Sequence, residues 1–419
     1  MGEAVLKMEH LPNLPYDVDT VRADFPILSR LVYGKPLVYL DNGASAQKPH
    51  FVIETMRQIY EEEYANVHRG VHYLSGCATL RFENARDKVR QYINAKESRE
   101  IIFTRGATEA VNLVAQTFGR HTLQAGDEII ISQLEHHANI VPWQLLRDEK
   151  NIVLKIAPLL ADGRLDFEGF KALISPRTKL IAMTHVSNAI GTIMPIAEVI
   201  KTAHEHNIPV LVDGCQAIPH LDVDVQALDA DFYVFSGHKV YGPTGIGVLY
   251  GKAALMETLP PWQGGGDMIE RVTFEKTTYK GLPQRFEAGT PAITEAIGLA
   301  AALEYVEKIG RANIRAHEQA LLDYTTQRMK ALPGLTIYST APDKGPNISF
   351  TIANAHPQDI GMLVDRQGVA IRTGHHCCQP LMDYFNIGGT CRVSFGLYNT
   401  FEEADALLAS LEKAAELLR

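Results

Sequence analysis

No uninterrupted apolar run long enough to span a bilayer, about eighteen residues, occurs anywhere in this chain of 419 residues. Basic residues are also in the minority: 40 Lys and Arg stand against 49 Asp and Glu, a formal charge of -9. With no clustered Lys/Arg run either, the chain lacks the broad cationic face that a nucleic acid would need. Cysteine is scarce. Cys77, Cys215, Cys377, Cys378 and Cys391 are odd in number and irregularly spaced, which predicts thiols rather than a disulfide framework. The opening MGEAVLKMEHLPNLPYDVD carries acids and prolines where an export leader has an apolar core. The expected location is therefore the cytoplasm, with neither membrane nor nucleic acid as a partner. Low-complexity tracts and solenoid-length repeats are missing as well.

The composition is otherwise that of an ordinary globular protein, 46% hydrophobic and 21% charged. The length exceeds what one core usually supports, so a large domain plus a smaller one is expected. Between residues 100 and 250 short β-branched runs alternate with helical stretches: EIIFT, EIIIS, KLIAMTHV, IPVLVDG, DFYVFSG and GIGVLYG. That alternation predicts an α/β fold with a mostly parallel sheet covered on both faces. A loop-rich connector occupies about 260–290, then helices run from Ile293 to about Ile309 and from Arg311 to about Leu332. NISFTIAN, GVAIRTG and CRVSFGLYN then read as strands of a smaller α+β unit, with a helix after Thr400. The expected division is an N-terminal segment, 1–30, packing with the small domain; a large domain, 31–300; and a small C-terminal domain, 301–419.

Ligands of such sheets sit beyond the carboxyl ends of the strands. The residues there include Arg105-Gly-Ala-Thr-Glu, Glu135-His-His, His185-Val-Ser-Asn, Asp213-Gly-Cys-Gln and Ser236-Gly-His-Lys. Singly, an Asp or Lys at a strand end is usually a turn former or a solvated charge. Together, Asp213 and Lys239 describe something narrower. Pyridoxal phosphate (PLP) needs a lysine amine to hold it and an acid beside its pyridine nitrogen. Gln216 places an amide donor near the ring's phenolic oxygen, and an imidazole from His136 or His137 could stack on the ring face. The helix start at Ala107-Thr108 offers N–H groups to a phosphate, although ordinary capping explains that turn equally well. Ser236 and His238 add further donors.

These residues carry a family resemblance. The marks are Tyr39-Leu-Asp-Asn-Gly-Ala-Ser, Asn66-Val-His-Arg-Gly-Val-His, Glu135-His-His-Ala-Asn-Ile-Val-Pro-Trp, Val212-Asp-Gly-Cys-Gln, Ser236-Gly-His-Lys, Gly264-Gly-Gly-Asp-Met-Ile, Phe286-Glu-Ala-Gly-Thr-Pro and Arg372-Thr-Gly-His-His-Cys. In that order, over nearly the whole length, the chain resembles the SufS/CsdA-type (group II) cysteine desulfurases, class V members of the fold-type I PLP-dependent transferases. The resemblance implies that Lys239 is the Schiff-base lysine, that Asp213 pairs with the pyridine nitrogen, that Gln216 contacts the phenolic oxygen and that His136 stacks on the ring. It assigns the phosphate to Thr108, Ser236, His238 and the backbone of Ala107, with Thr290 reaching the phosphate of the neighbouring subunit. Asn188, Arg372 and Arg392 surround the substrate carboxylate, Arg392 as its direct salt bridge, and His68 belongs on the substrate side. Cys377 matches the thiol that attacks the substrate sulfur.

The resemblance further implies conversion of L-cysteine to L-alanine, a persulfide on Cys377 and an acceptor protein of the SufE or SufU kind that feeds iron–sulfur cluster assembly. It implies a homodimer with shared active sites and an adjacent selenocysteine lyase activity too. A kynureninase-like or aminotransferase-like enzyme would share Lys239 and Asp213 without needing Cys377. A non-catalytic sulfur carrier or scaffold would need the thiol but no intact pocket. His375-His-Cys-Cys also has the residue types of a zinc site, but ligands within a knuckle are spaced at least two apart, and no metal is expected. Two positions depart from the family pattern: Cys378 stands where alanine is usual, and Ala107 where a hydroxyl is frequent. Cys215 reads as a space-filling substitution. The HHCC turn reads as extended, which would aim Cys378 away from Cys377.

Overall fold

The computed structural model describes residues 16–418. The six apolar runs become six of the seven strands of one sheet, to which Val153–Ala157 adds an unanticipated edge: β1 (Ile101–Thr104), β2 (Glu128–Ser132), β3 (Val153–Ala157), β4 (Thr178–Thr184), β5 (Val210–Asp213), β6 (Phe232–Ser236) and β7 (Gly247–Gly251). Across the sheet they stand in the order β1-β7-β6-β5-β4-β2-β3. The pairs from β6 to β3 are parallel, and β7 runs antiparallel to both β1 and β6. The reversal of β7 has a simple cause. Only the segment 237–246 joins it to β6, and it holds no helix long enough for a crossover. Side chains alternate between two cores: Val210 and Val212 enter one and Leu211 the other, as Tyr233 and Phe235 do against Phe232 and Val234. Burial of both faces explains why these strands read as nearly unbroken apolar runs.

A second, antiparallel sheet is built from β8 (Leu335–Tyr338), β9 (Asn347–Ile352), β10 (Arg372–Gly374) and β11 (Thr390–Ser394), in the order β8-β9-β11-β10. Helices Arg311–Met329, Pro357–Asp365 and Phe401–Leu417 bury their apolar faces on it. The last of these starts at a reciprocal cap between Thr400 and Glu403. Strand Val38–Tyr39 pairs with Val369–Ala370, and Val38 and Leu40 enter the core of this smaller unit. The early chain is thus shared between the two units.

Residue 300, the expected boundary, lies inside helix Ile293–Ile309, which packs along helices His50–Gln58 and Tyr73–Tyr92. Leu299, Leu303 and Val306 bury in the larger core, so the helix belongs with the large unit to its end. Residues 1–15 of the expected N-terminal segment lie outside the described residues. From Tyr16 onward the segment touches both units. The Tyr16 hydroxyl donates to Leu397 O at 2.6 Å and Arg22 pairs with Glu403 at 2.9 Å. The Phe25 ring packs edge-on against Tyr241, Tyr305 and Tyr398. Among the described residues no helix is long and apolar enough to cross a membrane.

The turn after β5 is sterically closed. A Cβ on Gly214 would stand 2.0 Å from the buried Tyr233 ring, whose hydroxyl is held by His185 Nδ1 at 3.1 Å. Gly214→Ala is therefore expected to lower stability by about 1–3 kcal/mol, the usual cost of overpacking. Chemical denaturation compared with the parent measures it.

Candidate active site

The carboxyl ends of the parallel strands open onto a cavity of about 240 Å³, closed on its other side by the smaller unit. Each strand delivers its trailing residues. Asp213 is the last residue of β5, Ser236 the last of β6, and Lys239 ends the single 3-10 turn Gly237–Lys239 just beyond it. Helix Ala107–Val114 points its first turn into the same space after β1. Twelve of the residues singled out from sequence line this one cavity: Ala107, Thr108, His136, Asn188, Asp213, Gln216, Ser236, His238, Lys239, Arg372, Cys377 and Arg392. A larger depression, about 890 Å³, lies at the amino ends of the strands around Ile208 and Asp231 and contains none of them.

Two expected residues stand elsewhere. His68 bonds to Glu83 at 2.9 Å and faces Asp267 at 3.6 Å. Thr290 lines a separate recess with Asn66, Arg69 and Asp267. Within one chain neither reaches the Lys239 cavity, because both sit on the connector side of the large unit. His68 is thus not a substrate-side residue of its own subunit's pocket.

Several of the twelve are already engaged. Asp213 accepts the Cys215 N–H at 3.0 Å, Gln216 Nε2 donates to Gly43 O at 2.7 Å, and the Ala107 N–H donates to Ser236 Oγ at 2.9 Å. Asn188, expected at the substrate carboxylate, has both ends of its amide in use. Nδ2 donates to His376 O at 2.7 Å, and Oδ1 accepts from the Cys378 thiol at 3.0 Å. Arg392 donates to Asn188 O and to Asp41, each at 2.8 Å. Its Nε is buried and has no protein partner.

The HHCC turn is not extended. His376 and Cys377 take consecutive left-handed conformations, at φ 52° and 57°. That coil, rather than simple alternation, leaves Cys377 half-exposed on the cavity and buries Cys378. The Arg372 guanidinium lies 4.0 Å from the Cys377 sulfur. Burial pushes the thiols of Cys378 and Cys391 up, and burial with the Asp213 carboxylate does the same to Cys215.

A support missed from sequence lies behind His136. Glu135, fully buried, accepts from Asn139 at 2.7 Å and from the Thr184 N–H at 3.0 Å, and Asn139 accepts from Trp143 Nε1 at 3.0 Å. The spacing 135, 139, 143 was the available signal. Burial pushes the Glu135 carboxyl up to about 7.

The set fits PLP. It offers a carboxylate beside an amine, hydroxyls and N–H groups at a helix start for a phosphate, and an imidazole at the cavity wall. Burial, reinforced by the charge of Lys239, pushes His136 down to about 4, so it is a neutral ring at neutral pH.

Comparison with known proteins agrees with this geometry. The Aminotransferase class-V family matches residues 38–407. A cysteine desulfurase of Escherichia coli O127:H6 is 52% identical over 406 residues, covering 97% of this chain and all of the relative. The chain belongs to the class-V aminotransferase family, among its cysteine desulfurases. Among solved structures, the cysteine desulfurase CsdA of Escherichia coli, in an S-sulfonic acid form, superposes with a TM-score of 0.89 at 40% identity. It covers 96% of this chain and 100% of its own. The apo cysteine desulfurase of Thermococcus onnurineus NA1 gives a TM-score of 0.91 at 37% identity, covering 97% and 100%.

The buried imidazoles make an acid-stability prediction. Burial holds His185 and His238 at about 4, and burial with the charges of Arg392 and Arg372 holds His376 at about 2. The unfolded chain, with ordinary imidazoles near 6.5, binds more protons below that pH, so stability falls as pH drops from about 6.5 toward 4. His185→Gln removes one such group. Its denaturation midpoint is expected to fall less steeply over that range than the parent's.

Proposed function

We propose that this chain is a PLP-dependent cysteine desulfurase that moves sulfur from L-cysteine onto Cys377, releases L-alanine and passes the sulfur to an acceptor protein. The observation that supports it best is that Lys239, Asp213 and the half-exposed Cys377 border one cavity. A kynureninase-like or aminotransferase-like reaction leaves the thiol without a task. A sulfur carrier without catalysis leaves the Asp213–Lys239 pocket without one.

Lys239 would carry the cofactor covalently, with Asp213 holding the proton of its pyridine nitrogen, His136 against the ring and Gln216 toward its phenolic oxygen. Thr108, Ser236, His238 and the Ala107 backbone would take the phosphate. When bound there, PLP supplies an electron sink for the charge left as the substrate loses its Cα proton. The Lys239 amine is the base placed to take that proton. Arg392 and Arg372, which both line the cavity, hold the substrate carboxylate. The Cys377 sulfur, as thiolate, attacks the substrate sulfur. An S–S bond forms as the substrate's C–S bond breaks, and the bonding pair stays with carbon, which is then protonated to the alanine methyl. Arg372 places positive charge beside the sulfur throughout.

The short HHCC turn cannot carry sulfur far, so the acceptor, of the SufE or SufU kind, must reach the cavity mouth and deliver to iron–sulfur cluster assembly. Cleavage of selenocysteine is chemically adjacent. We assign the working form to a cytoplasmic homodimer in which Thr290 reaches the cofactor phosphate of the neighbouring subunit. Exposed Val71, Tyr73, Leu74 and Leu80 beside His68 suit a subunit contact.

Alanine and sulfide release from cysteine, with and without a candidate acceptor, tests the reaction. Lys239→Ala is expected to abolish turnover and the visible band of the lysine-bound cofactor; normal alanine production would refute the assignment. Cys377→Ala is expected to keep that band while losing the persulfide, and a persulfide mapped by mass spectrometry to another cysteine would sink its role. Cys378 has a buried thiol turned to Asn188. Cys378→Ala is expected to retain desulfurase and acceptor-stimulated rates within a few-fold. A collapse of transfer in that variant alone would make Cys378 a relay.

A further inference from the structure

The turn that carries Cys377 is contacted twice by one residue of the large unit to which no role has been assigned. The His137 N–H donates to Cys377 O at 2.7 Å. Its ring returns the contact two residues later, where Nε2 accepts the Gln379 N–H at 3.0 Å. The two bonds bracket Cys378, directly after the sulfur-bearing residue. They fix the Cys377 carbonyl itself and the amide that starts helix Gln379–Tyr384.

This matters because the turn does not hold its own shape cheaply. His376 and Cys377 are both left-handed at positions without glycine, a conformation disfavoured for L-residues. Within the turn, the Cys378 N–H donates to His375 O at 2.8 Å and the Cys377 N–H reaches His375 Nδ1 at 3.3 Å. Bonds from outside add to these: Asn188 to His376 O, Thr390 Oγ1 to the His376 ring, and the two from His137.

We infer that His137 is a positioning residue for Cys377, an inference that rests on the reading of Cys377 as the sulfur-accepting thiol. Its neutral ring, with Nε2 as acceptor, sets where the Cys377 sulfur stands in front of the bound substrate, while the neighbouring His136 serves the cofactor. The His375 ring lies beside it, 5.6 Å between centroids. Burial and that neighbour push the His137 proton affinity down, which keeps the acceptor nitrogen open.

The chemistry of the contact gives a discriminating pair of variants. A glutamine amide oxygen reaches about as far as Nε2, whereas an asparagine oxygen reaches only as far as Nδ1. In the holoenzyme, His137→Asn is expected to lower kcat for alanine release about tenfold, with KM for cysteine unchanged, which is the size of effect expected for one hydrogen bond. Amide hydrogen exchange over residues 376–382 should quicken by a similar factor. His137→Gln should stay close to the parent in both measurements. The visible cofactor band checks that the Lys239 pocket is intact, and His137→Ala replaces the asparagine protein if that one does not fold.

An asparagine variant that matches the parent in rate and exchange overturns the inference. So does a glutamine variant as impaired as asparagine. If the parent itself makes no alanine from cysteine, the functional reading fails, and the exchange contrast between the two variants still decides whether His137 holds the turn.

Discussion

One buried guanidinium ties the active site together. Arg392, on β11 of the smaller sheet, is almost wholly removed from water. It is anchored by Asp41 from the start of the chain and by the Asn188 carbonyl from the loop after β4, at 2.8 Å each. A charge in that position is costly unless paired and hydrogen-bonded, and the pairing spans three distant segments. Asn188 in turn spends its amide on His376 O. The position of Cys377 relative to Lys239 is thus set by polar contacts between the two units. Breaking one partner would strand a buried charge rather than remove a surface pair.

The same arrangement accounts for the sharp difference between two adjacent thiols. Left-handed backbone at His376 and Cys377 turns the chain back on itself, so Cys378 falls into the core with its sulfur on Asn188 while Cys377 remains on the cavity. Each left-handed L-residue costs roughly 1–2 kcal/mol. A net hydrogen bond contributes about 1 kcal/mol, so several bonds are needed to hold the turn. One is its own, Cys378 N–H to His375 O; His137 and Asn188 supply three more, to Cys377 O, from Gln379 N–H and to His376 O, and Thr390 a fourth to the His376 ring. Exposure of the Cys377 thiol therefore depends in part on contacts between the units.

The large sheet was legible because its strands are buried on both faces and so read as apolar runs ending in polar clusters; Asp213 and Ser236 are found where those runs stop. Several strands were missed for the opposite reason. β3 is an edge strand with Val153 and Ile156 exposed, the hairpin Ile269–Val272 with Thr277–Tyr279 is largely exposed, and β8 is another edge strand of mixed burial. None shows the periodicity that burial imposes. The reversed direction of β7 is likewise invisible in its composition. It depends on the length of the connection, which matters only once the neighbouring strands are known.

At the site, residue types were legible and their hydrogen-bond commitments were not. Motif order brought twelve residues to one cavity, yet Gln216, Asn188 and the Ala107 N–H all have protein partners that no local pattern announces, since each partner lies far along the chain. His68 and Thr290 show the converse. Their motifs are intact, but the geometry of one chain sends them to the face where Val71 and Tyr73 are exposed. A motif records which atoms the chemistry needs; the fold decides whether a subunit supplies them to itself. In this molecule the large unit brings Lys239 and Asp213 to the cavity and the smaller one Cys377, and Arg392, Asn188 and His137 supply the polar contacts that join the two sides.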